Sequence, residues 1–171
     1  MQRLFFALWP APALQRQLHA LVDPLLPQTK GGRRLAVENL HLTLAFLGAV
    51  DAAKRPCIEQ RANEIRAAPF QLLIDRLVFV KRKGILWAAP SHPVPALLDL
   101  VRALQDAQAA CGLPRESREY QTHITLMRDL RHCPPALVSI PVVWSVQQFA
   151  LVQSRTEVQG ARYDVLRTWE L

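Results

Sequence analysis

The chain is 171 residues long, half of them hydrophobic and a fifth charged, with a formal net charge of +7 at pH 7. That length supports one well-buried core, or two small lobes sharing one, and no apolar run reaches the roughly 20 residues that span a membrane. Three cysteines without a C-x-x-C pair argue for free thiols, against a disulfide framework and against a zinc site, while the positive charge favours a polyanionic or phosphorylated partner.

In chain order, residues 3–9 are a predicted strand ended by Pro10. The short apolar patch at this end lacks the h-region and cleavage site of a signal peptide, so a cytoplasmic protein is expected. Leu14, Leu18, Leu21, Val22 and Leu25 then recur at helical spacing, with Pro12 near the start where a missing N–H is tolerated. His19 on this helix reads as a surface or packing residue. Residues 28–34, with two glycines and three cations, read as a loop that either holds a phosphate or stays in water, the solvated reading being favoured. An apolar strand follows to Gly48, and then a helix over about 51–67. Residues 70–80 read as one strand, which the basic turn Lys81-Arg82-Lys83-Gly84 joins to a strand over 85–89. Val94, Leu97, Leu98, Val101 and Leu104 mark a third helix, and Gly112 sits at the position past its end. A charged loop over 115–120 leads into another apolar strand. Pro134, Pro135 and Pro141 punctuate the approach to a final hairpin of residues 142–154 and 162–170 around Gly160.

The chain repeats itself. Phe5-Phe6-Ala7-Leu8-Trp9-Pro10 followed by Pro12-Ala13-Leu14 resembles Ile85-Leu86-Trp87-Ala88-Ala89-Pro90 followed by Pro95-Ala96-Leu97, weakly residue by residue but in the same order. Each segment is a strand, a Pro-marked turn and a helix, and each leads to a strand carrying His-x-Thr: His41-Leu42-Thr43-Leu44 and His123-Ile124-Thr125-Leu126. Strand side chains alternate between faces, so His41 shares a face with Thr43 while Leu42, Leu44 and Phe46 are expected on the buried one. His123 and Thr125 are related in the same way. The expected fold is α+β, a single two-lobed domain over residues 1–171, with one His-x-Thr strand per lobe facing a shared cleft.

Two imidazoles across a cleft suit general acid–base chemistry, because their ordinary pKa lets one be neutral and the other charged near pH 7. Metal-free phosphodiester cleavage needs such a pair on opposite sides of phosphorus. Thr43 and Thr125 can donate to the non-bridging oxygens, and Arg128 offers a forked cation for the same phosphate. Strict alternation points Arg128 away from His123, so it reaches the site only if the strand ends or bulges before it. No metal-ligand spacing, Walker A pattern, G-x-S-x-G or G-x-G-x-x-G occurs. The motifs are nearly symmetric, so the residues themselves leave open which histidine is acid and which is base.

Together with the opening Arg3-Leu4-Phe5-Phe6-Ala7, the Glu38–Gly48 block, Leu86-Trp87, the run from His123 to Asp129 and Gly160-Ala161-Arg162-Tyr163, these motifs resemble the RNA 2′,3′-cyclic phosphodiesterases of the two-histidine phosphoesterase superfamily, the LigT-like family. The resemblance implies two pseudo-symmetric lobes of antiparallel sheet with outer helices around a central cleft, no metal and no cofactor. It implies hydrolysis of 2′,3′-cyclic phosphate at RNA ends to 2′-phosphate, with a reversible 2′-5′ joining; a monomer without a membrane partner is expected, although the residues themselves do not give the oligomeric state. His123 would be the base, His41 the acid, Thr43 and Thr125 the phosphate holders with Arg128 nearby, and Phe6 a contact for the nucleobase. Thr122 departs from the proline common before the second motif. A non-catalytic RNA-end binder, and an enzyme for another small cyclic phosphate such as an ADP-ribose derivative, are the alternative readings.

Overall fold

Among the described residues there are ten strands, nine of them built on apolar positions, and three helices with proline in the first turn cover them. The computed structural model describes residues 1–134, 141–157 and 160–171. The strands are β1 (Gln2–Leu8), β2 (Lys30–Arg34), β3 (Leu42–Val50), β4 (Phe70–Ile74), β5 (Arg76–Val80), β6 (Ile85–Ala89), β7 (Ile124–His132), β8 (Val142–Val146), β9 (Gln148–Glu157) and β10 (Gly160–Glu170). The helices are α1 (Pro12–Ala20), α2 (Arg55–Glu64) and α3 (Pro95–Ala110). No helix among the described residues is long and apolar enough to cross a membrane.

The sheet order is β10-β9-β1-β3-β7-β6-β5, every pairing antiparallel, with β4 and β8 forming a separate ladder. The repeat in the sequence is visible in this order. β1 lies between β9 and β3, and its counterpart β6 lies between β5 and β7. The two halves meet at one bridging pair, Leu42 with Ile124. Both residues are fully buried, as are Leu4, Phe6, Leu8, Leu18, Ile58, Leu86, Leu97 and Leu104 in the same core. Each such side chain contributes about 1.5–3 kcal/mol by leaving water, which offsets much of the cost of ordering the chain.

Four expectations are corrected. Residues 30–34 are not a loop: β2 pairs with β7 on the edge opposite β6, alongside the start of β3. Its glycines hide this, yet the strand needs them, because a Cβ on Gly32 would meet the Leu130 side chain at 2.8 Å. Arg34 then anchors β2 to α1 through the ring nitrogen Nδ1 and carbonyl of His19, and to the turn after α1 through Asp23 at 2.8 Å. The predicted strand 70–80 breaks at Asp75, whose carboxylate accepts from Ser91 N–H and hydroxyl, and β4 leaves for the second sheet. The strand 142–154 likewise divides into β8 and β9. Finally, Cys57 of α2 and Cys111 at the end of α3 form a disulfide with Cα atoms 5.9 Å apart, leaving Cys133 free and buried. Sequence distance concealed the approach of the two helices. Pro135 and the tip residues 158–159 of the last hairpin lie outside the described residues.

Candidate active site

The single pair Leu42–Ile124 decides the geometry of the site. Carrying the antiparallel register one residue either way sets His41 opposite Thr125 and Thr43 opposite His123, all on the face away from the core. The four side chains occupy the corners of a rectangle, with each histidine facing a threonine. The histidines lie on its diagonal, roughly 7–8 Å apart at Cβ, which leaves room for one phosphate between their tips. All four line a pocket of about 460 Å³, shared with Arg128, Arg33, Phe5 and Phe46.

The two imidazoles are held alike. His41 Nδ1 lies 2.7 Å from the Asn39 carbonyl, and His123 Nδ1 lies 2.8 Å from the Gln121 carbonyl, each two residues upstream. A carbonyl oxygen only accepts, so Nδ1 carries the proton in both rings and Nε2 is left free for chemistry. Each ring also stacks on a tryptophan, though not from the same place in the two halves: Trp87 sits within β6 opposite Thr125, where β1 has Ala7, and Trp9 follows the end of β1. Trp9 lies at 5.3 Å and 7° from His41, and Trp87 at 4.1 Å and 25° from His123. Phe5 and Tyr163, each 5.0 Å away, close an aromatic box around His41 alone.

These surroundings set the protonation states. Burial lowers His41 to about 4, with smaller contributions from the charges of His123 and Arg128, although the bond to Asn39 acts the other way. Burial also lowers His123, helped by the nearby cations Lys83 and Arg128 and opposed by the Gln121 bond. In the empty pocket both rings are therefore neutral at pH 7.

Both motifs carry a β-bulge at the same place. Between Trp87↔Thr125 and Leu86↔Met127 the register slips, so Leu126 and Met127 are both buried and Arg128 returns to the pocket face. The bulge that Arg128 required is present. In β3 the slip between Ala7↔Thr43 and Phe6↔Ala45 buries both Leu44 and Ala45. It turns Phe46 into the pocket, 41% exposed, at the position matching Arg128. The expectation that Phe46 shares the buried face of Leu42 and Leu44 is thus overturned. The Arg3 guanidinium lies 5.0 Å from its ring centre. Phe6, the expected base contact, is also misplaced. It is fully buried against Phe149 and Trp169, and its neighbour Phe5 faces the site instead.

Two supports were not readable in the sequence. Gln15 and Gln108 are the two buried polar side chains among the described residues, and both grip the backbone of the first motif. Gln15 of α1 donates to the carbonyls of Glu38 and Leu40, at 3.2 Å each, on either side of the carbonyl that orients His41. Gln108 of α3 donates to the Phe46 carbonyl at 3.3 Å and to that of Pro114. The Tyr120 hydroxyl donates to the Thr43 carbonyl at 2.9 Å, tying β3 to the segment that enters β7. Among the described residues no cluster of three or more His, Cys, Asp or Glu is placed to hold a metal ion.

A family model described as LigT-like phosphoesterase matches residues 8–87, which include the first motif. The RNA 2′,3′-cyclic phosphodiesterase of Escherichia coli K12 is 35% identical, over 99% of this chain and 97% of that protein. The chain belongs to the LigT-like phosphoesterase family. Among solved structures, a phosphoesterase superposes with a TM-score of 0.88 at 32% identity, over 99% of this chain and 98% of that one. Escherichia coli LigT complexed with 3′-AMP superposes with a TM-score of 0.86, again at 32% identity and with the same coverage. The LigT-like fold accounts for the two-lobed sheet and for the meeting of the two His-x-Thr strands at its centre.

Proposed function

We propose that this protein hydrolyses the 2′,3′-cyclic phosphate at an RNA end to a 2′-phosphate, using His123 as base, His41 as acid and no metal. The observation that carries this reading is the rectangle around Leu42–Ile124, which puts two free Nε2 atoms on a diagonal with a hydroxyl beside each. The His123 Nε2 takes a proton from water as its oxygen attacks phosphorus. The bond from phosphorus to the 3′ oxygen breaks on the opposite side, and the His41 Nε2–H protonates the departing oxygen. Thr43, Thr125 and Arg128 donate to the non-bridging oxygens, where negative charge accumulates. The same steps with an RNA 5′-hydroxyl in place of water form a 2′-5′ phosphodiester as the 3′ oxygen leaves, and the abundance of water favours hydrolysis.

The assignment of acid and base follows the family resemblance, and it has a consequence. His41 is neutral in the empty pocket, so it takes up its proton together with the anionic phosphate, which raises the pKa of both rings. Phe46 replaces Phe6 as the residue proposed to stack on the nucleobase, since its ring is the exposed aromatic surface beside the phosphate site. Both motifs come from one chain, so a monomer suffices.

The test is turnover of a 2′,3′-cyclic nucleotide in excess EDTA, with His41→Ala and His123→Ala alongside. Chelation-resistant release of a 2′-phosphate, lost by a factor of at least 10² in each variant, is the expected result. Activity that survives either substitution, or that EDTA abolishes, refutes the mechanism. Tight binding of the cyclic end without turnover would make the protein an RNA-end binder instead.

A further inference from the structure

The excess positive charge of this chain is not spread over its surface. Three segments, β2, the turn Lys81–Lys83 and β7, hold eight of the 21 basic residues and one of the 14 acidic ones, Asp129. Outside them the chain has 13 of each sign, so the whole formal charge of +7 belongs to these 17 residues. The fold brings the three segments together. β2 pairs with β7 through Lys30↔His132 and Arg33↔Arg128, and on the opposite edge the turn is fastened by the bond from Leu130 N–H to the Gly84 carbonyl. A Cβ on Gly84 would meet the Leu130 carbonyl at 2.8 Å, so glycine there lets the cationic turn sit hard against β7.

Elsewhere the cations are largely matched. Arg155 and Arg162 on the β9–β10 hairpin reach Asp164, and Arg55, Arg61, Arg102, Arg115, Arg118 and Arg167 each have a carboxylate within 4 Å. At the β2–β7 end the pattern reverses. Among the described residues, Lys30, Lys81, Arg82, Lys83, Arg128 and Arg131 have no carboxylate within 4 Å; only Arg33 and Arg34 do. Lys30, Lys81, Arg82 and Arg131 are also exposed. The patch runs into the pocket, because Arg33 and Arg128 line it and Lys83 lies over Trp87, on which His123 stacks.

Resting on the proposed function, we infer that this end binds the phosphates of the single-stranded RNA upstream of the cyclic end. The strand then leaves the pocket over β2, β7 and the Lys81–Lys83 turn, on the His123 side, rather than over the charge-matched β9–β10 hairpin. Such a surface supplies affinity without reading sequence, and that affinity falls with salt as bound counterions are released. A mononucleotide does not reach it, so it distinguishes polymer from monomer and leaves the chemistry untouched.

The experiment compares a 2′,3′-cyclic mononucleotide with a ten-nucleotide RNA ending in the same cyclic phosphate. The variant carries Lys30→Ala, Lys81→Ala, Arg82→Ala and Arg131→Ala. A control of equal charge change carries Arg16→Ala, Arg66→Ala, Arg76→Ala and Arg102→Ala. The first variant is expected to keep mononucleotide kcat/KM within about twofold, while its RNA KM rises at least tenfold at low salt. Its slope of log KM against log salt is expected to drop by roughly 2–3, from about 0.7 per lost phosphate contact. Unchanged RNA kinetics with mononucleotide turnover intact would overturn the track, as would an equal loss in the control. Absence of mononucleotide turnover in the unsubstituted protein would instead refute the proposed reaction.

Discussion

Two phenylalanines show how one residue of register separates packing from binding. Phe6 is fully buried in the core, so Phe6→Ala is expected to cost about 3–5 kcal/mol of stability, read as a lower denaturation midpoint. Phe46 presents its ring to the pocket, so Phe46→Ala should leave the midpoint nearly unchanged. It should raise KM for the cyclic nucleotide by roughly tenfold, the low end of what one base stacked on an aromatic ring contributes. Equal effects of the two substitutions on KM would remove Phe46 from the base site. Gln15 makes a different kind of case, because its amide touches only backbone. Gln15→Leu leaves the Glu38 and Leu40 carbonyls without their donor and loosens the segment that orients His41. The expected outcome is a loss of about 1–3 kcal/mol in stability and a fall in kcat larger than the change in KM. A change in KM alone would mean that the glutamine merely shapes the pocket.

At the scale of elements, the sequence signals that succeeded were those with a local cause. Helix starts at Pro12 and Pro95, the turn at Gly84 and the two His-x-Thr strands all depend on nearby residues, and all lie where the sequence puts them. The tryptophans show the limit of the repeat: each stacks on the histidine of its own half, yet the register pairs Trp87 with Ala7 rather than with Trp9. Failures came where a partner elsewhere in the chain overrides local preference. Gly31 and Gly32 read as a loop because nothing local announces the edge of β7 that accepts them. Parity counted along β3 misassigned Phe46 because a bulge is set by register against β1, which the strand alone does not reveal. The Cys57–Cys111 bond is of the same kind, closing a separation of 54 residues between α2 and α3. On the loop-closure model a bridge of that span stabilises by about 4 kcal/mol. Thermal unfolding of the oxidised protein should therefore shift down by several degrees on adding dithiothreitol. A double Cys57→Ser/Cys111→Ser variant should match the reduced protein and be insensitive to the reagent. Identical midpoints with and without reductant would show that the two thiols are not bonded in solution.

The site belongs to the whole molecule, because each half supplies one imidazole and neither half alone can place a base and an acid on opposite sides of a phosphorus. Joining them has an electrostatic cost that pH makes measurable. Burial in the shared pocket holds His41 near 4 and lowers His123 below its ordinary value, so the folded protein refuses protons that the unfolded chain accepts. This refusal costs nothing above pH 6.5, where neither state binds the protons, and lowers stability increasingly as pH falls toward 4. His41→Gln should flatten that decline by about 2–3 kcal/mol, the equivalent of the lowered pKa. On the proposed mechanism the free enzyme needs one ring protonated and the other neutral, so kcat/KM should follow a bell whose maximum lies between pH 4 and 6.5. Bound phosphate favours the charged form of both rings, which moves the kcat profile to higher pH than that of kcat/KM. It also makes phosphate binding at pH 6 consume protons, a quantity read from the buffer dependence of the binding enthalpy. A kcat/KM maximum above pH 7, or phosphate binding without proton uptake, would mean that the two histidines are not held neutral in the empty pocket. The diagonal pair would then need a different division of acid and base.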